Sequence, residues 1–172
     1  VGTNSTLSFD KVSEYFSIFT ESSRRGRTGQ PQRTSIQFSL SDQFVSDGSY
    51  SLQIKNATES TLRFPKKSDS LEVKAGARYA LTFDYALLNS QGRNNRRSVA
   101  TGFSISLNFS NTNGRSMATD VYGNSIENEQ SVLKSYSQEF EVPSDVNRLQ
   151  MDISFDGIQT IHLDNLRLVR IK

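Results

Sequence analysis

The chain has 172 residues, 34% of them hydrophobic and 22% charged, with a formal net charge of +2. That is enough for one domain with a single core, and too little charge to dictate a nucleic-acid or membrane partner. No cysteine is present, which excludes disulfides and thiol-ligated metal sites, and no apolar run approaches the ~20 residues that cross a bilayer.

The chain opens at Val1 without the charged and apolar regions of an export signal, as expected of a processed or excised piece of a secreted or cell-surface protein. "LSFDK" reads as a first strand that ends on Asp10, after Ser8 and Phe9. A polar segment follows at 21–33, with Arg24, Arg25 and Arg27 crowded together. Apolar residues then recur with period two at Ile36, Phe38 and Leu40. After the turn at Asp47–Gly48 they recur at Tyr50, Leu52 and Ile54. Phe64, in "RFPKK", is placed either at a groove edge or in the core. Tyr79, Leu81, Phe83 and Tyr85 alternate next, followed by a second polar segment at 89–98 with Arg93, Arg96 and Arg97.

The clearest alternation sets Phe103, Ile105, Leu107 and Phe109 inward against Ser104, Ser106, Asn108 and Ser110. A third polar segment, 111–130, is read as a loop with a short strand near its middle. "VLKSYSQEF" is ambiguous in period, whereas Leu149, Met151, Ile153 and Phe155 repeat the strand pattern. Half-buried alternating strands belong to antiparallel sheets with one core face and one wet face. About ten such strands split by turns predict an all-β fold: a two-sheet antiparallel β-sandwich, a jelly roll with one concave face, spanning 1–172 as a single domain.

The last strand carries an irregularity. Ile161 and Leu163 are odd, but after Asp164–Asn165 the apolar set moves to Leu166 and Leu168. A regular strand keeps one parity, so a bulge is expected there. Asp10, Asp47 and Asp164 together offer an all-oxygen donor set suited to a hard cation such as calcium. The alternative is that Asp10 and Asp47 are ordinary turn acids and the slip is a bulge alone.

Five segments in order resemble the β-jelly-roll carbohydrate-binding modules of families four, nine, sixteen and twenty-two, galactose-binding-like sandwiches. They are "SFD", "SDGSYSLQI", "VKAGARYALTFDY", "YSQEFEVP" and "IHLDNLRLV". The resemblance implies a structural calcium held by the side chains of Asp10, Asp47 and Asp164 with backbone carbonyls near Ser8 and Tyr50. It also implies a non-catalytic module that binds a soluble polysaccharide or oligosaccharide in a groove on the concave sheet. Such a module is monomeric and appended to a glycan-degrading enzyme.

In such a groove an aromatic ring meets the sugar C–H face while planar polar groups meet its hydroxyls. The wet-face positions of the long strands are Asp84, Ser106, Asn108, Gln150, Asp152 and Ser154. Tryptophan is absent, so stacking falls to Tyr122 first and Tyr136 second, the latter sharing core parity with Phe140. Arg97 and Arg115 are the expected arginine contacts. The Arg-rich segments suit an acidic glycan such as a uronate or sulfated chain, or serve only solubility.

A nucleic-acid partner would need a continuous basic face with interleaved aromatics, which the scattered acids interrupt. His162 is the only histidine and is read as a solvent-facing strand residue. No strand shows the same-face acidic cluster of a jelly-roll glycosidase, so no catalytic residue is assigned. A non-binding structural or adhesion sandwich, and a small polysaccharide lyase, stand as the alternative readings.

Overall fold

The structure is a computed structural model and describes residues 5–6, 17–20, 37–55, 57, 60–66, 70–88, 102–113, 115–125, 132–156, 158 and 160–171. Among these the chain forms twelve strands and no helix. They are β1 (Ser5–Thr6), β2 (Ser17–Thr20), β3 (Gln37–Ser41), β4 (Ser51–Lys55), β5 (Ser60–Phe64) and β6 (Leu71–Glu72), then β7 (Arg78–Leu88), β8 (Gly102–Ser110), β9 (Ser116–Ser125), β10 (Lys134–Glu141), β11 (Arg148–Asp156) and β12 (Thr160–Arg170).

They divide into two antiparallel sheets. The first has the order β10-β7-β12-β4-β3, with β1 beside β12; the second has the order β2-β5-β11-β8-β9, with β6 beside β11. Both sheets turn their apolar parity inward. Phe103, Ile105, Leu107 and Phe109 of β8 stand opposite Phe155, Ile153, Met151 and Leu149 of β11, all buried. Tyr79, Leu81, Phe83 and Tyr85 of β7 form the facing layer. The sheets meet through aromatic contacts, among them Phe83 to Phe103 at 5.5 Å and Phe109 to Phe140 at 6.0 Å between ring centroids. The fold is the expected β-sandwich. Tyr79 and Tyr85 are buried as the alternation required, and Phe64 is resolved in favour of the core.

Two expectations change. The third polar segment holds a full ten-residue strand, β9, which its Asn, Gly and Asp content had disguised as loop. Phe38 and Leu40 do take core register, opposite Ile54 and Leu52, yet they stay 52% and 41% exposed. The strand β3 is the outer strand of its sheet, so its inward side chains lie at the flank rather than between the layers. The first two polar segments, 21–33 and 89–98, with their arginine clusters, lie outside the described residues.

Leu107 is fully buried at the centre of β8. Leu107→Ala is expected to cost about 2–5 kcal/mol. Urea unfolding followed by near-ultraviolet tyrosine dichroism reads this directly.

Candidate functional site

The two outer faces of the sandwich point in opposite directions, and the polar residues of the strands sort onto one or the other. On the second sheet, register sets Gln150, Asn108 and Thr119 in one row, Arg63, Asp152, Ser106 and Val121 in the next, and Thr61, Ser154, Ser104 and Gly123 in a third. A ladder of hydrogen bonds crosses four strands. Arg63 donates from Nε and Nη2 to the two carboxylate oxygens of Asp152, each at 2.7 Å. Asn108 donates from Nδ2 to Asp152 at 3.4 Å and accepts from the Thr119 hydroxyl at 3.2 Å. The Thr61 and Ser154 hydroxyls meet at 2.9 Å, and the Gln150 amide reaches the carbonyls of Pro65 and Lys66. A fork-to-fork Arg–carboxylate pair holds both planar groups in fixed orientation. The small side chains of Ser104, Ser106 and Gly123 leave low relief over β8 and β9, and Val121 stands 64% exposed beside them.

The outer face of the first sheet is a different place. There β12 departs from regular register between Asp164 and Arg167, with Asn165 at φ +53°, so the expected bulge is present. Asp164 lies directly across from Asp84 of β7, and both carboxylates are buried. The turn before β4, which needs Gly48 at φ +75°, folds over them. Asp164 Oδ2 accepts from the Ser46 amide at 2.6 Å, the Asp47 amide at 3.0 Å and the Ser46 hydroxyl at 3.1 Å, while Oδ1 accepts from the Asn165 amide at 2.8 Å. Asp84 accepts from Ser46, Ser135 and the Asn165 side chain. Burial alone would raise the Asp84 carboxyl; the hydrogen bonds from Ser135, Ser46 and Asn165 and the charge of Arg167 outweigh it and hold it below the usual carboxylate range.

The same turn covers His162. It has outward register but is 0% exposed, with the Phe44 ring 5.0 Å away, Ser51 Oγ 3.2 Å from Nδ1 and Gln53 Nε2 3.1 Å from Nε2. Burial pushes its pKa down; a backbone contact with Gln43 opposes this and the charge of Lys55 adds to it. The solvent-facing histidine of the sequence reading is therefore corrected. Outward parity gave no sign that the segment before β4 would fold back over the face.

The predicted site residues are thus split. Asn108, Gln150 and Asp152 come together on the second sheet. Asp84 does not join them, because β7 belongs to the other sheet and its outer face looks the opposite way. Tyr122 and Tyr136 sit on outer strands in core register, opposite Ile105 and Phe83, and are half-buried against the core rather than standing over the ladder. Arg115 is exposed beside the Asn111 turn, and Arg97 lies outside the described residues. Arg63 and Thr119 were missed; the placing of Arg63 between Leu62 and Phe64 in "STLRF" was the signal for the first.

Of the calcium candidates, Ser8 and Asp10 lie outside the described residues. Tyr50 is exposed, and the Asp47 carboxylate pairs with Arg167 at 3.2 Å. Among the described residues no group of three or more His, Cys, Asp or Glu side chains could hold a metal ion. Among the described residues here, Asp164 Oδ1 and Asp84 Oδ1, each with one donor, and Asn165 Oδ1, buried and without a hydrogen bond, keep capacity. They fit part of an oxygen shell for calcium, which takes six to eight ligands.

No protein-family model matches the sequence, and no curated protein matches it. Solved structures do match. The C-terminal family 22 carbohydrate-binding module of Clostridium thermocellum Xyn10B superposes with a TM-score of 0.62 at 13% identity, over 96% of this chain and 92% of that one. A xylan-binding domain of the same family gives 0.58 at 13% identity, over 98% and 95%. The fold is that of the carbohydrate-binding β-jelly rolls. A part of the enzymatically active domain of bacteriophage CBA120 tailspike protein 4 shares it, with a TM-score of 0.62 at 16% identity over 95% of this chain and 20% of that one. The jelly roll thus occurs in modules named for binding and within larger chains named for activity, and the assignment of function rests on the site.

Asp164→Ala would leave three backbone amides of Ser46, Asp47 and Asn165 without their acceptor. A loss of about 2 kcal/mol is expected after relief of the repulsion from Asp84. Chemical denaturation of the pair of proteins reads the difference, and Asp164→Asn, which keeps one acceptor oxygen, should lie between them.

Proposed function

We propose that the chain is a non-catalytic carbohydrate-binding module that holds a soluble polysaccharide across the outer face of the β2-β5-β11-β8-β9 sheet. The observation that carries this reading is the Thr119–Asn108–Asp152–Arg63 ladder, with Gln150 beside it. Amide, carboxylate and guanidinium groups linked by hydrogen bonds across three strands, with the Thr119 hydroxyl on a fourth, supply donors and acceptors for a hydroxyl-rich ligand. The low row of Ser104, Ser106 and Gly123 leaves room for a chain to lie in a shallow groove, and Val121 offers an apolar contact for a sugar C–H face. The family 22 fold and the xylan-binding neighbour support the same reading.

Arg63 is neutralised by Asp152, which favours a neutral glycan over a uronate or sulfated one at this face. An extracellular setting, as a monomeric part of a larger glycan-degrading chain, goes with this role. One observation favours the non-binding structural sandwich instead: the ladder satisfies much of its own hydrogen-bonding capacity.

Native affinity electrophoresis in gels containing xylan, soluble glucan, mannan or polygalacturonate tests the choice. Retardation by a neutral gel is expected, with Asn108→Ala and Asp152→Ala each weakening it about tenfold. Retardation by polygalacturonate alone moves the ligand to the arginine segments, and free migration in all four gels returns the chain to a structural role.

A structural calcium belongs to the same proposal. Asp164 and Asn165 would hold it through Oδ1 atoms, with Asp10, Asp47 and the carbonyls near Ser8 and Tyr50 completing the oxygen set. Its positive charge would offset the buried carboxylates and tie β12 to the turn before β4. At a calcium concentration 100 times the dissociation constant, stability should rise by about 2.7 kcal/mol over the chelated protein. Equal thermal midpoints in calcium and in chelator would remove the ion from the proposal.

A further inference from the structure

The two tyrosines displaced from the ladder point to a second site. β9 and β10 are outer strands of opposite sheets, and several of their inward positions are polar. Opposite Leu107 and Ile105, β9 carries Asp120 and Tyr122. Opposite Phe83 and Leu81, β10 carries Tyr136 and Gln138. All four side chains are half-buried. Inward charge on an edge strand deters pairing with another chain, but that purpose requires neither two tyrosines nor a hydroxyl left without a partner.

The Tyr136 ring lies edge-on to Phe103 at 5.2 Å and 5.0 Å from Phe83. Phe103 is two places along β8 from Ile105, the register partner of Tyr122, so the two tyrosines lie at one level of the seam between the sheets. Burial pushes both hydroxyls above the ordinary tyrosine value, helped at Tyr122 by the charge of Asp120 and at Tyr136 by Tyr122. Among the described residues nothing donates to the Asp120 carboxylate or bonds the Tyr122 hydroxyl. The Tyr136 hydroxyl has only Gln138 Oε1, at 3.5 Å, and the Gln138 Nε2 donates to the Glu139 carbonyl at 2.7 Å.

We propose that the seam between β9 and β10 is a second glycan site that takes one neutral pyranose unit. Tyr122 and Tyr136 meet its C–H face, and Asp120 and Gln138 meet its hydroxyls. Partly exposed aromatic surface beside a carboxylate and a hydroxyl without partners, those of Asp120 and Tyr122, is the arrangement a sugar satisfies. The Asp120 charge repels a uronate, so the ligand is uncharged. This rests on the reading of the chain as a carbohydrate-binding module, but it uses none of the ladder residues.

The test is a nuclear magnetic resonance titration of the whole chain with xylohexaose, cellohexaose and mannohexaose. Carbon-labelled tyrosine rings report the seam, and the side-chain amides of Asn108 and Gln150 report the ladder. Tyr122 and Tyr136 signals are expected to shift with at least one sugar. Tyr122→Ala should weaken that event about tenfold, and Tyr122→Phe, which keeps the ring packed, about threefold. The amide shifts should stay as they were in both variants. Amide shifts with unmoved tyrosines overturn the seam site and leave the ladder standing; tyrosine shifts with unmoved amides do the reverse. Stillness at both places with all three sugars overturns both.

Discussion

One carboxylate sets the architecture of the first sheet. Asp164 sits where β12 bulges, and its oxygens receive the amides of Ser46 and Asp47 from a turn more than a hundred residues earlier. The bulge makes this possible, since an unbroken strand would carry the side chain onward in register instead of letting Asn165 adopt φ +53°. Once the turn is held, Ser46 reaches Asp84, Phe44 covers His162, and a face that alternation would leave wet becomes a sealed polar layer. Two buried carboxylates side by side are tolerable because several donors converge on them and the charge of Arg167 favours ionised Asp84.

That sealing divides the labour of the molecule. The first sheet spends its outer polar groups on the turn before β4, and the second sheet links its own across strands. The ladder there is held in place because each of its members is oriented by a neighbour on the next strand, and its Arg63–Asp152 pair is only 23% and 13% exposed. Rigid, oriented polar groups lose little entropy when a ligand arrives, which is what a weakly hydrophobic site needs in order to bind at all.

The fold was legible because its strands are long and alternate cleanly, as in Phe103–Phe109 and Leu149–Phe155, and period two with a polar outer face has few other solutions. The bulge was legible for the same reason, as a break in parity at Asp164. Membership of one sheet or the other was not. Asp84 and Asp152 have the same local pattern, an acid between inward residues, and only the pairing of β7 with β12 and of β11 with β8 separates them. Tyr122 was misread because Gly123 and the surrounding Asn and Asp residues lower strand propensity, while pairing with β8 overrides it. His162 was misread because nothing local signals that a distant turn will cover an outward side chain.

The place of β12 in its sheet has a consequence for the order of events in folding. It lies between β7 and β4, and it also pairs with β1. Until Thr160–Arg170 is in position, the β10–β7 and β3–β4 pairs are two separate ribbons with no common neighbour. The second sheet has no such gap, since β11, β8 and β5 can assemble without it. Completing this sheet is therefore a long-range closure in which one C-terminal strand joins two ribbons, the kind of non-local pairing that slows folding.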